Sequence, residues 1–303
     1  MPRGQPPNGP TATSRLGVGG SPDIAPPLNI FISDWEDGPA RLPTGVGAWA
    51  IGDVHGQLAH LDALIDAVRA LIEASPAIQR HLVLIGDYID RGPDNIAALE
   101  RADTLEIPGV TVTALRGNHE DYLDRFLNAE SVGEDLVANW VANGGGATLA
   151  NLGVSQDDLR DRGAAAVARA VRSRPLPGVR RALDRLEIAL RLGGYLFVHA
   201  GVHPRLPLAD MRQRLTTIRE PFLAGEGWIH DFAVVHGHSI AGPDIAPHRI
   251  AVDSGAFWTG VLTCAELYDD QARFIAATRD DDLERLRRIP GRRPLSTERW
   301  RRL

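Results

Sequence analysis

The first third of the chain alternates short apolar runs with longer amphipathic segments, and this alternation most constrains the fold. Apolar runs occupy residues 48–51, 81–85 and 110–115. Over residues 58–74, between the first two runs, apolar side chains recur at helical spacing. Pro93 stands where a second helix could start. The order β-α-β-α-β predicts parallel strands joined by helical crossovers.

Side chains of the kind that bind metal ions follow the apolar runs. The stretch GDYIDRG, residues 86–92, comes directly after the run at 81–85. Other apolar runs end in GDVHG (52–56), GNHE (117–120), HAG (199–201) and GH (237–238). The carboxyl ends of strands in an open α/β sheet are where ligands bind, and glycine allows close backbone approach. We therefore expect one site at this edge of the sheet.

The residue types at these strand ends favour a metal centre. Carboxylates, imidazoles and one amide oxygen suit divalent ions such as manganese, iron or zinc. Asp53 and His55 lie two residues apart, so in an extended chain both side chains can reach one ion. The two oxygens of Asp87 could bridge two ions, and paired ions are a common apparatus for phosphoryl hydrolysis. Each residue alone is more often a turn former, but five such motifs in order are hard to attribute to chance.

Together the five motifs resemble those of the calcineurin-like metallophosphoesterases, and more narrowly the bacterial branch of the phosphoprotein phosphatases. The resemblance covers roughly residues 48–275. It implies an α/β fold, a four-layer α/β/β/α sandwich of two mixed β-sheets flanked by helices. Residues 29–278 would form a single domain, in which the mostly helical residues 121–190 are an insertion.

The resemblance also implies roles for individual residues. The implied metal ligands are Asp53, His55, Asp87, Asn118, His199 and His238. The first three would hold one ion, and Asp87 would bridge to a second ion held also by the last three. His119 would be the general acid that protonates the leaving oxygen, with Asp90 orienting its imidazole.

Two arginines are implied to bind the phosphate, together with Asn118. Arg91 is in the family's phosphate-binding position, and a second arginine is expected between the last two histidine motifs. Arg219 is our choice for the second, although Arg212 and Arg214 lie nearby. Guanidinium groups match phosphate oxygens bidentately.

The implied function is hydrolysis of phosphoserine and phosphothreonine in proteins, by direct attack of a hydroxide that bridges two divalent ions. Manganese is the first choice of metal, with iron or zinc as alternatives. A related bacterial branch hydrolyses dinucleoside polyphosphates such as diadenosine tetraphosphate, which is the main alternative. Only isolated tryptophans, Trp228 and Trp258, are candidates for stacking on adenines, and this favours the phosphoprotein. A metal-binding module without turnover is a third hypothesis, but such a module needs no general acid.

Composition excludes several other classes. The net charge of −6 gives no sign of a nucleic-acid partner or of an anionic membrane surface. No apolar run is long enough to span a bilayer, and a lone cysteine, Cys264, excludes an intrachain disulfide. We expect a cytoplasmic protein that acts on a phosphorylated protein or a small phosphoester, and the sequence leaves the oligomeric state open. Residues 1–28 predict a flexible tail, and the arginine-rich residues 279–303 predict a solvated helix followed by a loose tail.

Overall fold

The computed structural model describes residues 27–211, 215–279, 283, 285–286 and 299–303. Apart from its last two residues, the predicted tail at 1–28 lies outside the described part of the chain.

The described elements agree with an α/β chain. The strands are β1 (Asn29–Ser33), β2 (Glu36–Asp37), β3 (Val46–Ile51), β4 (Gln79–Leu84), β5 (Thr111–Ala114), β6 (Ala189–Leu192), β7 (Tyr195–Val198), β8 (Ala233–His236), β9 (Asp244–Ala246), β10 (Arg249–Ala251), β11 (Val261–Tyr268), β12 (Gln271–Thr278) and β13 (Trp300–Arg302). The α-helices are α1 (Leu58–Ala74), α2 (Asn95–Thr104), α3 (Asn118–Asn128), α4 (Glu134–Trp140), α5 (Gly146–Asn151), α6 (Gln156–Arg162), α7 (Ala164–Arg172), α8 (Pro177–Arg185) and α9 (Ala256–Thr259). A π-helical turn, Val141–Gly145, joins α4 to α5, and Leu208–Asp210 is a 3₁₀ turn.

Two mixed sheets organise the described chain. The larger sheet has the order β13-β1-β12-β11-β3-β4-β5, with β2 paired to β12, and the smaller has the order β6-β7-β8-β10-β9. The pairs β3–β4 and β4–β5 are parallel in the first sheet, as are β7–β8 and β8–β10 in the second. The predicted β-α-β-α-β unit and the predicted pair of mixed sheets flanked by helices are therefore confirmed.

Alternation along β3 shows how the layers pack. Ala48 and Ala50 belong to the apolar cluster that also contains Tyr195 and Phe197 of the second sheet. Trp49 belongs instead to the cluster that contains the buried face of α1. Successive strand residues point to opposite faces, so small side chains face the other sheet and a large one faces the helices. The sandwich thus brings the ends of β3, β4, β7 and β8 together.

Three local predictions need correction. Leu208, Met211 and Leu215 have the spacing of a short helix, but the described residues of 208–215 contain only the 3₁₀ turn at 208–210. The strand β6 begins at Ala189, inside the region expected to be helical, because it pairs with β7. At the other end of the chain, residues 300–302 are not a loose tail. They form β13 and pair with β1, whose outer edge would otherwise present unpaired backbone groups.

None of the helices in the described part of the chain combines the length and apolar character needed to cross a membrane.

Candidate metal centre

The predicted strand-end residues come together where the two sheets meet. Within the described chain, two groups of side chains have ligand atoms that lie within 4.8 Å of one another. One group contains His55, Asp87 and His119, and the other contains Asp87, His199 and His238. Asp87 belongs to both groups, which is the arrangement expected of a carboxylate that bridges two ions.

The backbone around this centre is strained. In the described chain, six non-glycine residues have positive φ, and five of them are His55, Asp87, Asp90, Arg91 and His238. Such conformations cost on the order of 1–3 kcal/mol each and persist only where surrounding contacts hold them. Their concentration at the predicted motifs makes this region the candidate functional site.

Two glycines are required because ligand side chains lie against them. A Cβ at Gly117 would lie 2.1 Å from Asp87 Oδ1, and a Cβ at Gly237 would lie 2.0 Å from Asp53 Oδ1. Any larger residue would displace the carboxylate. The absence of a side chain at these two glycines thus makes room for the carboxylates of Asp87 and Asp53.

Two histidines are oriented by backbone carbonyls. His55 Nδ1 lies 2.8 Å from the carbonyl oxygen of Ile89, and His199 Nδ1 lies 3.0 Å from that of Ile85. These contacts place a proton on Nδ1 of each ring and turn Nε2 toward Asp87 Oδ2, at 3.6 Å from His55 and 3.3 Å from His199. A metal-binding imidazole commonly has its other nitrogen fixed in this way.

Asp53, the remaining predicted carboxylate ligand, belongs to neither of the two groups. Its two carboxylate oxygens accept hydrogen bonds from the backbone N–H of His238, at 3.2 and 2.9 Å. Burial and the neighbouring Asp253 raise the pKa of Asp53 well above its usual value. Sequence reasoning missed Asp253, a buried carboxylate just after β10 whose side chain accepts the N–H of Gly255 at 2.8 Å.

The electrostatics of the centre favour bound cations. Burial alone would lower the pKa of His199, but the carboxylates of Asp87 and Asp53 raise it to about 10. Burial alone would raise the pKa of Asp87, but His199 and His119 hold it well below its usual range. Several carboxylates buried together need compensating positive charge. The donor set and its charge therefore fit divalent ions.

His119 and Asp90 form a buried pair. His119 Nδ1 lies 2.5 Å from Asp90 Oδ2, and His119 Nε2 lies 3.8 Å from Asp87 Oδ2. Burial would lower the pKa of His119, but Asp87 and Asp90 raise it. Two residues that sequence reasoning missed contact the Asp90 carboxylate as well, Trp140 and Thr148.

The two chosen arginines flank opposite sides of the centre. Arg91 Nη1 lies 2.6 Å from His55 Nε2, and Arg91 Nη2 lies 3.2 Å from His119 Nε2. Phe257 was not predicted, yet its ring centroid lies 4.5 Å from the guanidinium carbon of Arg91. Arg219 Nη1 donates to the carbonyl oxygen of His238 and to Ser239 Oγ, both at 3.0 Å. The alternatives Arg212 and Arg214 lie outside the described residues.

Helix α3 carries most of the GNHE motif, and its side chains contact the GDYIDRG and HAG motifs. It begins at Asn118, whose Oδ1 lies 3.2 Å from His199 Nε2. Glu120, two residues on, is fully buried and accepts the backbone N–H groups of Asp87, Tyr88 and Gly117 at 2.8–2.9 Å. The sequence placed Glu120 in the GNHE motif without a role. The structure shows that its carboxylate organises the turn that carries Asp87.

Residues 48–249 match the family model of the calcineurin-like phosphoesterases, and the chain belongs to this family. It is a hydrolytic metallophosphatase, as the paired His/Asp groups and the family's named phosphatases support.

The similar proteins divide between two activities. A serine/threonine-protein phosphatase 1 of Salmonella typhimurium is 33% identical over 98 residues, 32% of this chain and 38% of that protein. A symmetrical bis(5'-nucleosyl)-tetraphosphatase of Proteus mirabilis is 25% identical over 284 residues, 76% of this chain and 97% of that protein. Among solved structures, a cold-active protein-tyrosine phosphatase of a psychrophilic Shewanella species aligns with a TM-score of 0.47. The two sequences are 19% identical, and the alignment covers 77% of this chain and 80% of the phosphatase.

Proposed function

We propose that this enzyme is a phosphomonoesterase that acts on phosphoserine and phosphothreonine in proteins. The observation that carries the proposal is the pair of guanidinium groups on opposite sides of the centre, Arg91 beside His55 and Arg219 beside His238. A terminal phosphate has more non-bridging oxygens and more charge than a diester. Two preorganised bidentate donors on opposite sides suit that group best.

The metal ions of the proposal would be held by side chains of this chain. Asp53, His55 and Asp87 would hold one, and Asp87, Asn118, His199 and His238 would hold the other. When bound, two divalent ions supply positive charge for the phosphate and lower the pKa of bound water, and manganese is our first choice.

His119 acts in the proposal as the general acid. Its Nδ1 is engaged by Asp90, so Nε2 is the nitrogen directed toward the centre. A proton at Nε2 would pass to the leaving oxygen as its bond to phosphorus breaks. His119 also belongs to the group around His55, so a role as a metal ligand is the competing assignment.

The cavity beside the centre supports a peptide substrate. It has a volume of about 630 Å³ and is lined by Asn118, Asp121, Tyr122, Asp124, Arg125 and Thr217. Arg116 forms ion pairs with Asp121 and Asp124, at 3.2 and 3.1 Å. The cavity is therefore close to electrically neutral, which suits a peptide segment better than additional phosphates.

A specific observation favours a second candidate, symmetrical hydrolysis of dinucleoside tetraphosphates. Phe257 and Trp258 are 36% and 54% exposed on α9, and the ring of Phe257 lies against Arg91. Two adjacent exposed aromatic rings at the rim of a site could stack on adenine. The Proteus relative with this name also aligns over nearly its whole length.

The decisive experiment compares kcat/KM on a phosphothreonine peptide and on diadenosine tetraphosphate, both with added manganese. The proposal expects higher kcat/KM on the peptide, and a clear preference for the dinucleotide would overturn it. The variant Trp258→Ala provides a matched test of the rim. It should change peptide hydrolysis by less than about threefold, because Trp258 is exposed. A loss confined to the dinucleotide would support the second candidate.

A further inference from the structure

The segment that spans the junction of α4 and α5 contacts both Asp90 and Arg91. It runs from Trp140 to Thr148, and we call it the 140–148 segment. It contains the glycine run 144–146, which by sequence indicates a break in a helix. The structure shows such a break, with non-helical geometry at Gly144, where φ is 103°.

The Asp90 carboxylate receives a fixed donor on each oxygen from this segment. Thr148 Oγ1 donates to Asp90 Oδ1 at 2.5 Å and accepts the backbone N–H of Asp90 at 3.0 Å. Trp140 Nε1 donates to Asp90 Oδ2 at 2.7 Å, the same oxygen that His119 Nδ1 approaches. All four residues are buried. The carboxylate therefore cannot rotate without breaking a buried hydrogen bond, which would be costly.

The same segment positions the arginine. The backbone N–H of Arg91 donates to the carbonyl oxygen of Gly144 at 3.0 Å, and Arg91 Nε donates to that of Asn143 at 3.4 Å. A Cβ at Gly144 would lie 2.5 Å from Arg91 Cγ, whereas a Cβ at Gly146 would meet no atom within 4 Å. Asp90 and Arg91 both have left-handed backbone, with φ of 75° and 70°. These contacts help to hold that strained pair.

We propose that Trp140 and Thr148 are positioning residues for the general-acid step. Their hydrogen bonds fix the Asp90 carboxylate, which in turn fixes the ring of His119 with Nε2 directed toward the leaving oxygen. The inference rests on the proposed function, in which His119 donates a proton. The 140–148 segment would then position the general acid in addition to stabilising the fold.

The test uses the full-length enzyme loaded with manganese and two substrates, an alkyl phosphate and an aryl phosphate with a good leaving group. Thr148→Val keeps the shape of the side chain but removes the hydroxyl, and Trp140→Phe keeps a ring but removes the N–H. Each should lower kcat on the alkyl phosphate by about tenfold or more, with a smaller loss on the aryl phosphate, which needs less protonation. The KM values should change little.

Three comparisons make the result interpretable. Thr148→Ser, which keeps the hydroxyl, should recover most of the lost alkyl-phosphate turnover. Gly146→Ala lies in the same segment but meets open space, so it should match the wild type. His119→Asn removes the proposed acid itself. It shows how large the loss of turnover is on each of the two substrates when no acid is present.

A measurement that does not depend on turnover is the proton NMR signal of the His119 Nδ1–H. The short contact to Asp90 predicts a downfield resonance, and Thr148→Val should shift or broaden it while the far-UV circular dichroism stays unchanged. An unshifted signal in Thr148→Val would overturn the positioning role. The role would also be overturned if Thr148→Val lowered turnover equally on both substrates while His119→Asn lowered it unequally. Equal losses for His119→Asn would instead overturn the proposed acid.

Discussion

The two sides of the metal centre are built differently. On the side of His55, Asp90, His119 and Arg91, the side chains contact one another, and all but Arg91 are buried. On the side of His199, His238 and Arg219, the arginine is exposed and hydrogen-bonds to a backbone carbonyl and to a serine. We infer that the first side fixes the geometry of proton transfer, which tolerates little displacement. The second side supplies charge to the phosphate, which tolerates more.

The largest expected effect comes from the residue that both sides share. Asp87→Asn removes the charge of a carboxylate that belongs to both groups of potential ligands. We expect a loss of activity of about 10³-fold or more and the loss of most bound metal, with the fold retained. Elemental analysis and steady-state kinetics measure both effects. Asp157→Asn, at an exposed position on α6, is the matched control. Full metal occupancy in Asp87→Asn would refute a shared bridging ligand.

The two arginines test the comparison directly. Arg91→Ala should lower kcat on phosphate monoesters by about 10²–10³-fold, because a preorganised donor is lost from the buried side. Arg219→Ala should act more on KM than on kcat, because that side binds the charge of the phosphate. Rates on monoester and diester substrates should be measured for both variants. If the two substitutions change kcat and KM alike, the distinction between the two sides is wrong.

The sequence predicted the parts of the site that depend on local signals. Asp87, His119 and His199 lie in glycine-containing motifs at the ends of apolar runs, and the parallel order of strands brings such ends together. Trp140 and Thr148 carry no such signal. They lie about 50 residues from Asp90 in an amphipathic region, and only tertiary packing brings them to its carboxylate.

The other omissions have related causes. Phe257 lies in the short helix α9, two residues after Gly255, where an aromatic residue is ordinarily read as part of a core, yet its ring stacks on Arg91. Leu208–Asp210 was overestimated as a helix because apolar spacing does not distinguish one turn from several. The strand β13 could not be foreseen, since a short arginine-rich end has no strand signal of its own and is ordered by pairing with β1.

Glu120→Gln should have an intermediate effect, chiefly on stability. The buried carboxylate accepts four backbone N–H groups from the turns that carry Asp87 and Asn118, and a glutamine would direct its own NH₂ at one or more of these donors. We expect the free energy of unfolding to fall by about 1–3 kcal/mol. Urea denaturation measures it, with Glu130→Gln at an exposed position as the control. An unchanged midpoint in Glu120→Gln would mean that other contacts hold the turn.

The smallest effect is expected from deleting residues 1–28, which tests whether either side of the centre depends on anything before β1. The segment contains no predicted ligand and few large apolar residues, so by composition it can contribute little buried surface. The strand β1 begins at Asn29 and pairs with both β12 and β13, so the deletion leaves the edge of the larger sheet intact. Turnover, KM and melting temperature should all match the full-length enzyme within error. A raised KM with an unchanged melting temperature would show that the segment reaches the exposed side around Arg219. A lowered melting temperature would show that it packs against the sandwich.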